Sequence, residues 1–544
     1  MTERLYIFDT TLRDGQQTQG VQFSVKDKIA IAEALDDLGV DHIEGGWPGA
    51  NPTDSDFFEA RPQTRATFTA FGMTKRAGRS AENDDVLAQV MNAGTPAVCL
   101  VGKTHDFHVT TALGITLEEN LENISASIAH VVAHKDEALF DAEHFFDGYK
   151  ANAPYALDAV LAAYKAGARW VVLCDTNGGT LPSEIADITR AVIEAGIPGD
   201  HLGIHCHDDT GNAVAGSLAA IDAGARQVQG TLNGLGERCG NANLISLIPT
   251  LLLKEPYRSQ FEIGIDEAKL TTLTRVSHQL DDILNRVPLR SAPYVGASAF
   301  THKAGLHASA ILKDPSTYEH IDPGLVGNER LVPMSNQAGQ SNLRRRLSEA
   351  GIAVDKGDAR LSDILNEIKR REDVGYAYDG AQASFELLAR RMLGDAPEFF
   401  EVERYRVITE RRRNARGQIV VESEAVVTLT VGSGQPRTSY FKNEHSQAMQ
   451  DDGPVNALWQ ALKTDLGTHQ SRIDDMKLVD FRVRITNGGT EAVTRVIIDF
   501  QDAKGAAWST VGVSANIVDA SFEALADAIT WKLLRDGAAA VAAQ

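Results

Sequence analysis

Two histidines separated by one residue, His205 and His207, close the apolar stretch Leu202–Asp208. On a β-strand residues i and i+2 point to the same side, so the two imidazoles make half of a metal site. Zinc and similar divalent ions take three or four protein ligands, and acidic and amide partners must therefore come from elsewhere in the chain. Two stretches offer them. Asp9–Gln17 sets Arg13 beside Asp14, a carboxylate that suits a metal ion and a guanidinium fork that suits a substrate carboxylate. Gly234–Asn241 is glycine-rich without matching the dinucleotide fingerprint. Its Gly234 and Gly236 let backbone approach a ligand, and its Asn241 supplies an amide oxygen. Taken singly, these are a satisfied histidine pair, an ion pair closing a turn, and a tight glycine turn. Taken together they describe a metal centre next to an anion-binding arginine.

The elements that must position these groups are legible as eight short β-rich runs: Leu5–Thr10, His42–Pro48, Thr67–Gly72, Ala97–Gly102, Ala138–Phe145, Trp170–Thr176, Leu202–Asp208 and Gln227–Asn233. Amphipathic helical stretches such as Lys26–Leu38, Leu157–Ala166, Ser183–Ala195 and Ala213–Ala223 lie between them. Eight βα units in about 250 residues are the content of a (β/α)8 TIM barrel, and a doubly wound sheet would show a similar alternation. The polar residues separate the two. Arg13 and Asp14 follow the first run, Glu143 lies near the end of the fifth, Thr176 ends the sixth, His205 and His207 end the seventh, and Asn241 follows the eighth. In a closed barrel the first strand adjoins the eighth and strand C-termini share one face, so these residues converge; an open sheet scatters them.

The alternation stops near residue 265. The sequence then predicts a helical linker region over 266–396, with a polar cluster holding His302, His307 and Tyr318, and an α+β domain over 397–544. That domain contains a repeat: Val426–Val431 resembles Val493–Ile498, and the helix Val455–Lys463 resembles Phe522–Thr530, both at an offset of 67 residues. Two such strand-rich units ending in a helix leave a crevice at their junction, a common place for a small-molecule effector.

Composition excludes several classes of function. With 53 basic against 74 acidic residues the net charge is −21, which disfavours nucleic acid or an anionic membrane as the main partner. No apolar run approaches the roughly 20 residues of a membrane span. The four cysteines form no C-x-x-C pair and the chain opens without a signal-peptide pattern, so a cytoplasmic location is expected.

The combination of Asp9–Gln17, Leu202–Asp208 and Gly234–Asn241 resembles the metal-dependent Claisen-condensing TIM barrels, the family that includes the isopropylmalate, homocitrate and citramalate synthases. The resemblance extends over nearly the whole chain. In Glu44–Pro52 and Phe146–Asn152 it is to the branch that condenses acetyl-CoA with pyruvate. It implies an acyltransferase with a divalent metal (Zn, Mn or Mg) held by Asp14, His205 and His207, with Asn241 as a further ligand. Arg13 and Thr176 would hold the keto-acid carboxylate, with Gly234 and Gly236 at the substrate. Glu143 would sit beside the reacting groups, and His307 and Tyr318 would activate acetyl-CoA, both supplied to a partner subunit of a homodimer or higher homo-oligomer. The C-terminal domain would sense isoleucine and regulate a step of branched-chain amino acid biosynthesis. The same chemistry on a larger keto acid, or a metal-dependent lyase or aldolase, are the competing activities.

Overall fold

The computed structural model describes residues 2–538 except 285, 287, 303–304, 312, 332–339, 356, 414, 416, 418, 433, 446–452 and 486–491. The chain folds into two compact units, residues 1–300 with 320–330, and 301–319 with 331–544.

The first unit is a closed parallel barrel of Tyr6–Asp9 (β1), His42–Gly46 (β2), Thr67–Met73 (β3), Ala97–Lys103 (β4), Glu137–Glu143 (β5), Trp170–Asp175 (β6), Leu202–Cys206 (β7) and Gln227–Gly230 (β8), in sequence order, with β1 pairing β8. All eight runs read from the sequence are strands. The fifth is shorter at its end because His144 adopts a left-handed conformation (φ 58°) and Phe145–Lys165 is helical, with a kink at Asn152.

Strand alternation sorts the barrel's side chains. Ile7, Val98, Phe140, Leu173 and Ile204 pack outward against the helices, while Phe8, Phe71, Cys99, Leu139, Trp170, Val172 and Cys174 fill the interior. Local signals set the helix ends: Val25–Leu38 begins with a Ser24–Asp27 capping box and ends at Gly39, whose φ of 101° is left-handed. Lys28 in this helix is fully buried, and its ammonium donates to the carbonyls of Leu12 (2.9 Å) and Gly45 (3.0 Å) and pairs with Asp54. One cation thus ties the loop after β1 to the end of β2.

In the second unit, helices Arg360–Asp373 and Gln382–Leu393 precede two βββα repeats. The first is Phe400–Arg413 (β9), Ile419–Val431 (β10), Arg437–His445 (β11) and helix Gly453–Lys463; the second is Lys477–Ile485 (β12), Thr494–Gln501 (β13), Ala507–Ser514 (β14) and helix Ile517–Arg535. The repeats share one core, in which Val427, Leu429, Leu458 and Leu462 lie with Ile498, Phe500, Leu525 and Ile529. The helices keep the 67-residue offset, Leu458 matching Leu525 and Leu462 matching Ile529. The strands do not. Both first strands carry a bulge, opposite Leu429 in one repeat and Phe500 in the other, which aligns the central strands at an offset of 71. The difference of four is even and leaves every side chain on its own face.

Candidate metal and keto-acid site

Loop and strand ends at the C-terminal face of the barrel bring four of the sequence-derived residues together. The Asp14 carboxylate (Oδ2) lies 3.1 Å from His205 Nε2, 3.8 Å from His207 Nε2 and 2.8 Å from Asn241 Nδ2. All four residues are buried. One ligand atom from each of Asp14, His205 and His207 falls within 4.8 Å of the others. Cys206, between the two histidines, packs outward with the helix-side core. The glycine loop builds the Asn241 side: Gly236 has φ 155°, and a Cβ there would lie 1.9 Å from Asn241 Oδ1, so only glycine fits.

The donor set fits a divalent ion. Asn241 Oδ1 and His207 Nδ1 are buried and have no hydrogen-bond partner among the described residues, and half a turn of the Asn241 amide would aim its oxygen at the Asp14–His205 side. Burial and the neighbouring His205 ring push His207 down to about 4, which leaves it a neutral donor at neutral pH. Burial alone would raise Asp14, but the Arg13 guanidinium and the two imidazoles hold its carboxyl well below the usual carboxylate range. His205 is oriented from behind: Gln229 Oε1 lies 2.8 Å from its Nδ1, and Gln229 Nε2 donates to Asp141 Oδ1 at 3.3 Å. An amide oxygen only accepts, so Nδ1 carries a proton. Burial alone would lower His205, but the hydrogen bond and charge of Asp14 raise it, so without an ion Nε2 also carries a proton toward Asp14, the position a divalent ion would take.

Arg13 closes one wall. Its Nε donates to Glu44 Oε2 at 2.6 Å, and its guanidinium carbon stands 3.9 Å from the centre of the Phe71 ring. These contacts fix the plane of the fork. Glu44 is fully buried, and burial raises its carboxyl to about 7 against the pull of Arg13.

Arg13, Asp14, Phe71, His205 and His207 line a cavity of about 290 Å³ with Gln17, Trp47, Met73, Val101, Lys103, Asp141, Glu143, Cys174, Thr176, Glu237 and Arg238. Glu143 pairs with Lys103, and both, with Met73 and Val101, also line an adjoining cavity of about 320 Å³ that continues past Thr74, Lys75 and Arg76. Gly234 and Gly236 are not on these walls; they pack behind Asn241. His307 and Tyr318 belong to the second unit, where their rings stack with centroids 4.0 Å apart and both are exposed.

Sequence reasoning assigned no role to Glu44, Asp141, Gln229, Lys103 or His144. Glu44, Asp141 and Gln229 are inward-facing polar residues within apolar runs, and a polar residue on a strand buried from both sides was the available signal.

Comparison with known proteins gives three consecutive matches along the chain. A sequence model described as HMGL-like matches residues 4–276, one described as homocitrate synthase post-HMGL domain-like matches 294–376, and one described as LeuA allosteric (dimerisation) domain matches 379–533. An (R)-citramalate synthase of Aquifex aeolicus is 47% identical over 98% of this chain and 99% of its own length. One of Geobacter sulfurreducens is 46% identical over 97% of each. A protein of Methanopyrus kandleri named probable 2-isopropylmalate synthase is 31% identical over 96% of this chain and 97% of its own. With agreement running from the barrel through the repeats, the chain belongs to the HMGL-like family, in the branch shared by the (R)-citramalate and 2-isopropylmalate synthases.

Proposed function

We propose that the chain condenses acetyl-CoA with pyruvate and water, giving citramalate and coenzyme A. The observation that carries this reading is that Asp14, His205 and His207, backed by Asn241, share one small cavity with Arg13 and Thr176. Identity supports pyruvate over larger acids: five relatives named (R)-citramalate synthase stand at 41–47% and one so named as putative at 33%, while two named 2-isopropylmalate synthase, one of them marked probable, stand at 29–31%.

In this reading Asp14, His205 and His207, with Asn241 after its amide turns, hold a divalent ion. When bound, that ion supplies Lewis acidity at the keto group. Arg13, whose Nη1 also lies 3.7 Å from Asp14 Oδ1, directs its Nη groups at the keto-acid carboxylate while Glu44 and Phe71 hold its plane, and the Thr176 hydroxyl donates to the same carboxylate. Trp47, Phe71 and Met73 surround the reacting carbons and limit water. The acetyl methyl must lose a proton, and the carbanion so formed bonds to the keto carbon while the carbonyl π pair moves onto its oxygen, which takes up a proton to become the tertiary hydroxyl. Glu143, on the wall between the two cavities, is placed to accept that proton directly or through water. His307, stacked on Tyr318 and contributed by the second unit of a partner subunit, is the alternative base. The adjoining cavity, with Lys75 and Arg76 at its far end, takes the pantetheine arm. Hydrolysis of the thioester releases the thiol and completes the balance. Gly234 and Gly236 shape the Asn241 loop and do not touch substrate.

The C-terminal repeats form a dimerisation and regulatory domain that binds isoleucine, and the protein works in the cytoplasm as a homodimer on a route to that amino acid. The matched LeuA allosteric (dimerisation) domain supports this. An effector must bind the less active state more tightly to inhibit, so isoleucine titrated against the intact enzyme should lower turnover and show calorimetric binding. Thiol release from acetyl-CoA with a panel of keto acids tests the main reading. Pyruvate should give the largest kcat/KM, and a larger value for 2-oxoisovalerate would replace it with the isopropylmalate activity.

A further inference from the structure

We propose that His144 is a positioning residue for the keto-acid carboxylate and acts through Thr176. Three observations support it. His144 is one of four residues other than glycine with positive φ among the described residues, a conformation that is costly for a side chain bearing Cβ. In that conformation its backbone N–H donates to Thr176 Oγ1 at 2.8 Å. Its ring packs on His108, with centroids 4.1 Å apart and the planes tilted by 34°, which anchors the left-handed turn to the short helix Asp106–His108.

The consequence lies in the hydroxyl. A threonine Oγ1 has one proton and two lone pairs. With the His144 N–H on one lone pair, the hydroxyl proton cannot point that way and is free to be donated into the cavity that Thr176 lines. The Thr176 carbonyl is held as well, accepting from Arg238 Nη2 at 2.7 Å, so the residue is fixed at both its side chain and its backbone. The 143–144 peptide is held at its other end as well, Glu143 O accepting from Thr104 N–H at 3.2 Å and Thr104 Oγ1 at 2.8 Å. The left-handed turn lets the chain pass from this fixed peptide into the Phe145–Lys165 helix. With extended backbone at 144 the peptide would have to rotate, taking the N–H off Thr176 and leaving the hydroxyl to rotate. Strain at a functional site persists where the surroundings enforce it, and here the ring contact with His108 and the start of the Phe145–Lys165 helix do so.

This inference rests on the reading above that Thr176 takes the keto-acid carboxylate. The test is steady-state kinetics with pyruvate on the metal-loaded full-length enzyme, comparing Thr176→Val, His144→Val, His144→Gly and the double variant His144→Val/Thr176→Val. Thr176→Val should raise KM for pyruvate about tenfold or more, as expected on losing a hydrogen bond to a charged group. His144→Val, whose β-branch resists the left-handed region, should raise KM similarly with kcat within about threefold of wild type. His144→Gly, which keeps the turn and lacks the ring, should recover most of the loss. The double variant should be no worse than Thr176→Val alone, because the two act in one chain. If His144→Val does not fold by circular dichroism, His144→Ala takes its place. Should 2-oxoisovalerate prove the better acid, the same series is run with it, since the carboxylate is shared. An unchanged KM in Thr176→Val overturns the carboxylate role of Thr176 and the route through His144 with it. A raised KM there, beside an unchanged KM in His144→Val or no recovery in His144→Gly, overturns the positioning role alone.

Discussion

Two charged networks in this chain use the same residue types in opposite settings. At the barrel mouth, Arg13, Glu44, Asp14, His205 and Asp141 sit among apolar walls, and their side chains have little or no exposure. On the face of the first repeat sheet away from its helix, Arg412 and Lys442 flank Glu422, and Arg406 and Tyr440 flank Glu424. There Arg406 is 68% exposed. A charge in the first setting must have a partner to be tolerated, so each member is fixed by the others. Glu422 is itself nearly covered, but an exposed cation in the second setting, such as Arg406, is solvated whether or not its neighbour is present. Geometry should therefore matter at the mouth and hardly at all on the sheet.

The largest effect is expected where a metal donor is lost. His207→Ala should reduce turnover by about a thousandfold or more, since several kcal/mol of Lewis-acid stabilisation is at stake. It should also lower the bound metal found by elemental analysis, and a chelator should do the same to the wild type. Full activity in metal-stripped protein would remove the metal reading. Next comes Lys28. Lys28→Met leaves Asp54 without its ion-pair partner, and breaking a buried pair costs about 3–5 kcal/mol. Urea unfolding should show that loss with the slope unchanged. A loss under about 1 kcal/mol would mean that the clamp between the β1 loop and β2 is not what holds them.

Arg13→Lys isolates geometry from charge. The lysine keeps the cation but loses both the Nε contact to Glu44 and the planar fork. A fall in kcat/KM of about a hundredfold is expected, consistent with about 1.5–3 kcal/mol for a charged hydrogen bond, and near-normal kinetics would reduce Arg13 to a structural role. Gln229→Met should leave the fold intact and weaken metal affinity by about 10–100-fold, the usual cost of losing a partner that orients a liganding histidine. Chelator competition measures it. Wild-type affinity in that variant would show that His205 needs no help from Gln229.

The contrast between the networks also explains what the sequence could reveal. The eight strands were legible because strands covered on both faces are nearly continuous apolar runs. Asp14, His205 and His207 stood out because their spacing alone suggests a shared target. Glu44, Asp141 and Gln229 come from β2, β5 and β8, and nothing local marks them as neighbours; their convergence exists only once the barrel closes. His144 was hidden for a different reason. Its importance lies in a backbone angle and an amide hydrogen bond, which a histidine at the end of an apolar run does not advertise. In the repeats, similarity found the helices at their true offset and placed the strands four residues away, because an even slip preserves the pattern of faces.

The smallest effect should come from the sheet. Arg406 lies 3.8 Å from Glu424 and is mostly solvated, so removing it forfeits a screened interaction and frees a long side chain. Arg406→Ala should change unfolding stability by no more than about 0.5 kcal/mol. That expectation assumes that water covers this face. Ile408 and Tyr440 are also exposed, 40% and 54%, and the domain matches a dimerisation model, so a second copy is the natural alternative cover. The two cases separate by mass action: a covered face makes stability depend on protein concentration, and a wet one does not. Measuring the Tm of wild type and Arg406→Ala over a hundredfold range of concentration therefore tests the contrast directly. Equal, small shifts at every concentration keep the sheet network in the solvated class. A shift that grows on dilution would place Arg406 in a buried interface, where it obeys the rules of the barrel mouth.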